Sequence, residues 1–149
     1  MSIAVQHARP SASPLMRLIG PVVQSNAFNL SLPMNGVRIL IGLFYLPHVV
    51  LKFLSFQGTV AFFTEAHLVP GWLFVDLAII VELASAIFLV LGLFPRWAGL
   101  MSAGALTVAI YGVFATDGVG WYWAKGGIEY LLLWGLLSLV VAYDGWKRS

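Results

Sequence analysis

Four apolar runs, Gly36 to Phe56, Trp72 to Phe94, Trp97 to Ala115 and Gly127 to Tyr143, dominate the sequence. Each is close to the roughly 20 residues that an α-helix needs to cross the hydrocarbon core of a bilayer. None shows the period-two alternation of a strand, and a barrel needs at least about eight strands, so helices are the remaining way to span with every backbone group hydrogen-bonded. Composition agrees: 60% of the 149 residues are hydrophobic and 9% charged, against about a quarter charged in a soluble domain. Lipid must therefore act as solvent for much of the surface. The sequence predicts an all-α integral membrane four-helix bundle over residues 35–146. A polar N-terminal tail, residues 1–34, precedes it and is expected to be mobile or surface-lying rather than a cleavable signal peptide.

The connections constrain the arrangement further. Gly92 can close one helix and Pro95 open the next, so the second and third helices must be antiparallel neighbours. The first connection carries Val60, Ala61, Phe62, Phe63, Glu65 and Leu68 before Pro70, a pattern that suits a short interfacial helix between the first and second transmembrane helices. Asp117, Gly118 and Gly120 mark the third connection. Arg9, Arg17, Arg96, Lys147 and Arg148 all fall on one side of this topology, which predicts cytoplasmic N and C termini. Trp72, Trp121 and Trp123 on one side, with Trp97 and Trp146 on the other, supply two aromatic belts.

Several chemistries are excluded. The chain has no cysteine, which removes disulfides, thiolate metal sites and thiol redox chemistry. Its eight Lys and Arg residues are scattered and form no patch for nucleic acid. His7 lies in the tail and His67 in the first connection, leaving His48 as the one histidine within a span, so bis-histidine haem ligation within one chain fails. One histidine and scattered carboxylates also fall short of a metal site. No covalent cofactor is expected, and any electron must sit on something bound.

The informative residues are the ionisable ones inside the runs: Arg38, His48 and Lys52 in the first, Asp76 and Glu82 in the second, Glu129 in the fourth. A charge at the bilayer centre costs about 2.5 to 3.5 kcal/mol on insertion scales, so these residues should face the interior of the bundle. Counting about 1.5 Å per residue from the helix ends puts Lys52 and Glu129 at one outer level, where they are expected to pair. The same count puts His48 and Glu82 near the midplane, where no snorkelling can rescue them. Pro47 cannot donate a hydrogen bond to the Leu43 carbonyl, so the first helix is expected to kink beside His48. Ala98, Ser102, Ala105 and Ala109 make a small-residue face on the third helix suited to close packing. Tyr111, Tyr130 and Trp134 are read as packing or interfacial residues, with Tyr130 close enough to Glu129 to join its hydrogen bonds.

Arg38-Ile39-Leu40-Ile41-Gly42-Leu43-Phe44 followed by His48 and Lys52, then Glu82 ahead of Leu91-Gly92-Leu93-Phe94-Pro95-Arg96, then Gly126-Gly127-Ile128-Glu129-Tyr130, resembles the DoxX family from about Val37 to Gly145. Val49 stands where that family usually has glycine, and Asp144-Gly145-Trp146 replaces its closing serine-leucine-aspartate. The resemblance implies a bacterial inner-membrane protein that supports a quinone-linked redox system, at most as a membrane subunit of an oxidoreductase. The ligand-binding candidates are His48, Glu82, Arg38, Lys52, Glu129 and Tyr130, holding a quinone or similar lipophilic ligand. The expected partners are the lipid bilayer and a redox protein, with self-association left open. The other reading is a non-enzymatic scaffold, chaperone or cargo-type partner whose buried charges only fix helix packing.

Overall fold

A computed structural model of the chain describes residues 18–148. Among them are six α-helices: α1 (Pro33–Leu43), α2 (Tyr45–Leu54), α3 (Phe56–Glu65), α4 (Gly71–Leu91), α5 (Pro95–Thr116) and α6 (Glu129–Lys147). The fold is all-α. Three helices are long and apolar enough to cross a membrane: the nearly continuous α1–α2 unit Pro33–Leu54, α4 and α5. The expectation of four spans is met only to that extent, because the 19-residue α6 opens on Glu129 and closes on Asp144 and Lys147. A short helix does stand in the first connection, as α3. Large apolar side chains such as Leu51, Ile80 and Leu133 face outward, as lipid contact requires.

Pro47 accounts for the break between α1 and α2. The missing N–H leaves the Leu43 carbonyl without its helical partner, and the helix is interrupted at Phe44, where the sequence placed the kink. Before the break, α1 packs on both α4 and α6; after it, α2 keeps its close approach to α4, and the continuing unit turns at Ser55 into α3. The α4–α5 turn is built as expected, with Gly92 in the left-handed region at φ 71° and Pro95 opening α5.

The tightest helix pair is α5 with α6. Gly99 permits it, since a Cβ there would lie 2.6 Å from the Ser138 carbonyl oxygen and 2.9 Å from the Ala142 Cβ. Ser102, from the same small-residue face, bonds Ser138 across the pair, Oγ to Oγ, at 2.8 Å. A main core gathers Ile41, Tyr45, Ala86, Leu89, Leu106 and Trp134. A smaller one, Val49, Phe63, Val75 and Ile79, docks α3 onto the start of α4.

At the end of the bundle that carries the α4–α5 turn, residues 18–32 are pinned to the helices. Phe94 N–H donates to the Val22 carbonyl at 2.8 Å and Gln24 N–H to the Gly92 carbonyl at 2.9 Å. Asn35, fully buried, donates through Nδ2 to the carbonyls of Asn26 (2.7 Å) and Asn29 (2.9 Å) and accepts from Gln24 Nε2 at 2.7 Å. Arg96 Nη1 donates to the Leu18 carbonyl and Trp97 Nε1 to the Ile19 carbonyl, each at 3.2 Å. His7, Arg9 and Arg17 lie outside the described residues.

Candidate functional site

One helix face supplies each wall of a cavity of about 740 Å³ that opens on the side of the bundle past Leu51, Leu77 and Val108. On α2, Tyr45, His48 and Lys52 follow one another at the three- and four-residue steps that share a helix face. On α4, Phe74, Ala78 and Glu82 do the same, and on α5 Met101, Gly104, Ala105 and Val108. Tyr130 and Trp134, one turn apart, close the α6 side, and Gly58, Thr59, Phe62 and Phe63 of α3 roof it. The cavity follows from the break at Phe44: α1 approaches α6 closely, while α2 beyond the break stays with α4 and leaves room in front of Tyr130 and Trp134.

Two oppositely charged side chains meet across the α2 and α4 walls. Lys52 Nζ donates to both carboxylate oxygens of Glu82, at 2.9 and 2.8 Å, and each side chain is 14% exposed. The expected Lys52–Glu129 pair is therefore corrected. The count from helix ends assumed that the first span reaches the outer face, but it stops at Leu54 and α3 covers the first turns of α4. Gly42 sits against Leu89, and counting along the antiparallel helices from there brings Lys52 level with Ile79, one turn from Glu82. Glu129 begins α6 half-buried, lines no part of the cavity and makes no ion pair among the described residues.

His48 is half-buried and lies beside two rings, Trp134 at 5.5 Å between centroids and tilted by 50°, and Tyr130 at 6.5 Å with planes 20° apart. Neither of its ring nitrogens has a hydrogen-bond partner among the described residues. The neighbouring hydroxyls are satisfied without it, whereas the buried Trp134 indole Nε1 has no partner among the described residues. Ser138 Oγ donates to the Trp134 carbonyl at 2.9 Å, so Ser102 Oγ must donate to Ser138, and the Tyr45 hydroxyl in turn to Ser102 at 2.8 Å. Each hydroxyl has one proton to give, so this chain runs one way and ends on a carbonyl. Tyr45 thus has no proton left for the cavity.

Of the six residues singled out in the sequence, the structure brings His48, Lys52, Glu82 and Tyr130 around one cavity and leaves Glu129 and Arg38 out. Arg38 is 1% exposed and donates to the carbonyls of Leu89 and Val90 at the end of α4 and of Ala27 in the N-terminal segment. A cation there satisfies carbonyls that a helix C-terminus leaves open. Its role is structural. Asp76 faces outward, and Asp144 pairs with Arg148 at 2.7 Å. Tyr45, Gly104 and the roof residues of α3 were missed as site residues; Trp134, read as packing, both packs and lines the cavity, and its spacing from Tyr130 was the available signal. Among the described residues no three His, Cys, Asp or Glu side chains gather to hold a metal ion.

No curated protein and no solved structure matches the chain. A family model described as DoxX matches residues 34–115. The match runs from the first turn of α1 to the last turn of α5 and takes in every cavity residue except Tyr130, Leu131 and Trp134. It covers more than half of the sequence, and the chain belongs to the DoxX family.

Proposed function

We propose that this chain is a four-span subunit of a quinone-linked redox system in a bacterial inner membrane, and that it holds a quinone head group in the cavity beside His48. The observation that carries this reading is the unpartnered imidazole in the wall of a largely apolar cavity of about 740 Å³. That volume falls within the range of roughly 300 to 1,000 Å³ typical of small-molecule sites. Quinone carbonyls accept hydrogen bonds and the reduced ring's hydroxyls donate them. A neutral imidazole does either. Among the described residues Lys52 donates only to Glu82, through two of its three N–H groups, so one remains for a second acceptor, and the rings of Trp134 and Tyr130 lie beside the imidazole.

In this reading α6 is the fourth span and α3 lies at the interface as the roof of the site. The end bearing Arg96, Lys147 and Arg148 faces the cytoplasm. Electrons come from a redox protein partner, since the chain has no redox group of its own.

The test is His48→Phe, which keeps the aromatic stack and removes both ring nitrogens. The melting temperature in detergent should stay near that of the natural chain while co-purified quinone falls to background. Equal quinone content in the two proteins would refute the site and favour a scaffold whose buried charges only hold helices together.

A further inference from the structure

Where the cavity opens past Leu77 and Val108, the gap is a framed window between α4 and α5. These helices part from a common turn, so counting equal steps back from Leu91 and on from Pro95 brings Val81 level with Ala105 and Leu77 level with Ala109. Leu77 and Val81 stand one turn apart on α4, as Gly104 and Val108 do on α5, and all four line the cavity. Leu77, Gly104 and Val108 are also exposed on the outside of the bundle, and a Cβ on Gly104 would meet no atom within 4 Å. The seam is shut on either side of them. Toward α3, the Phe63 ring lies 6.2 Å from that of Phe74 on α4, and a Cβ on Gly112 of α5 would come within 2.8 Å of the Phe62 ring. Tyr111 also donates to the Ala66 carbonyl there, at 3.2 Å. Toward the turn, Leu89 and Ala98 are buried in one core. Val81 precedes Glu82, so the window stands level with the Lys52–Glu82 pair, midway along α4. At that depth it faces acyl chains rather than water.

We propose that the ligand is a lipid-borne amphiphile whose apolar chain leaves the cavity between α4 and α5 and runs out into the bilayer, while its polar head stays inside with His48, Lys52 and Glu82. The inference rests on the ligand reading above and adds the route of entry and the class of molecule, a head group on a slender apolar chain rather than a water-soluble compound. A chain already dissolved in lipid gains little from another apolar wall. The window therefore selects by shape, and Gly104 keeps its rim free of a side chain.

The experiment uses the full chain in lipid nanodiscs and a benzoquinone whose short isoprenoid tail carries a diazirine, with cross-links located by mass spectrometry. Label should fall on α4 around Leu77 and Val81 and on α5 around Gly104 and Val108, and excess unmodified tailed quinone should suppress it. In parallel, binding is followed by quenching of tryptophan fluorescence. Gly104→Leu should weaken the tailed quinone by about tenfold or more, in line with the discrimination that single carbons make in apolar sites, and leave a tail-less benzoquinone at natural strength. Gly104→Ala and Gly104→Leu should both keep the natural melting temperature, since the space at that Cβ is open. Suppressible label on Leu51 or Tyr130 instead would overturn the window and leave the site standing, because the chain would then leave between α2 and α6. Natural-strength binding of the tailed quinone by Gly104→Leu, or equal weakening of both quinones, would also overturn the window alone. Absence of suppressible label and of binding in the natural chain would overturn the window and the ligand reading together.

Discussion

Separating Lys52 from Glu82 should cost more than deleting both. Each side chain of the pair is 14% exposed, with Nζ at 2.8 and 2.9 Å from the two oxygens. A neutral interhelical hydrogen bond in a membrane contributes only about 0.6 kcal/mol, so a cycle on ordinary packing contacts would be nearly additive. A stranded charge is different: Lys52→Met leaves a carboxylate without its cation, at about 2.5 to 3.5 kcal/mol on insertion scales. Glu82→Gln should cost less, because the lysine stem can carry its ammonium toward the α3 end. The double variant loses only the net worth of the pair, about 1 kcal/mol or less. A coupling of about 2 kcal/mol or more is therefore expected from unfolding titrations in mixed micelles followed by circular dichroism. Additivity within about 0.5 kcal/mol would refute the pairing.

Arg38→Lys should destabilise the fold by about 2 to 4 kcal/mol, because an ammonium cannot span the carbonyls of Ala27, Leu89 and Val90 together and charged hydrogen bonds contribute about 1.5 to 3 kcal/mol each; near-natural unfolding would show that the guanidinium geometry is dispensable. Gly99→Leu should abolish accumulation of folded protein, since its side chain would enter the Ser138 and Ala142 backbone, in contrast to Gly104→Ala; a normal gel-filtration peak for Gly99→Leu would contradict the α5–α6 packing. Topology can be read with single cysteines in this cysteine-free chain. In intact cells, Val119→Cys, 89% exposed in the loop after α5, should react with an impermeant thiol reagent and Ser149→Cys should not, and the reverse pattern would invert the orientation.

What the sequence revealed depended on whether the cause was local. Gly92 and Pro95 specify a turn through their own backbone preferences, and Pro47 specifies the break at Phe44 through one missing hydrogen bond, so both were legible. Lys52's partner was not, because depth counted from helix ends ignores where a helix stops: Leu54 ends α2 below the level at which α4 begins, and α3 fills the difference. Arg38 shows the converse error. An arginine within a span was assigned to a ligand, whereas its partners are carbonyls from α4 and from residue 27, brought together only by the tertiary fold. The link between Tyr45, Ser102 and Ser138 left only a faint signal, hydroxyls on otherwise apolar helix faces.

The claim that a quinone head lies beside His48 is tested most directly by photolabelling the full chain in its own membranes with an azido-benzoquinone, followed by mass spectrometry of the fragments. The label should fall on α2 near His48 and on α5 near Met101 and Ala105, and excess unmodified quinone should suppress it. Label confined to outward-facing residues such as Leu133 and Leu136 of α6, or label that unmodified quinone does not suppress, would contradict the account.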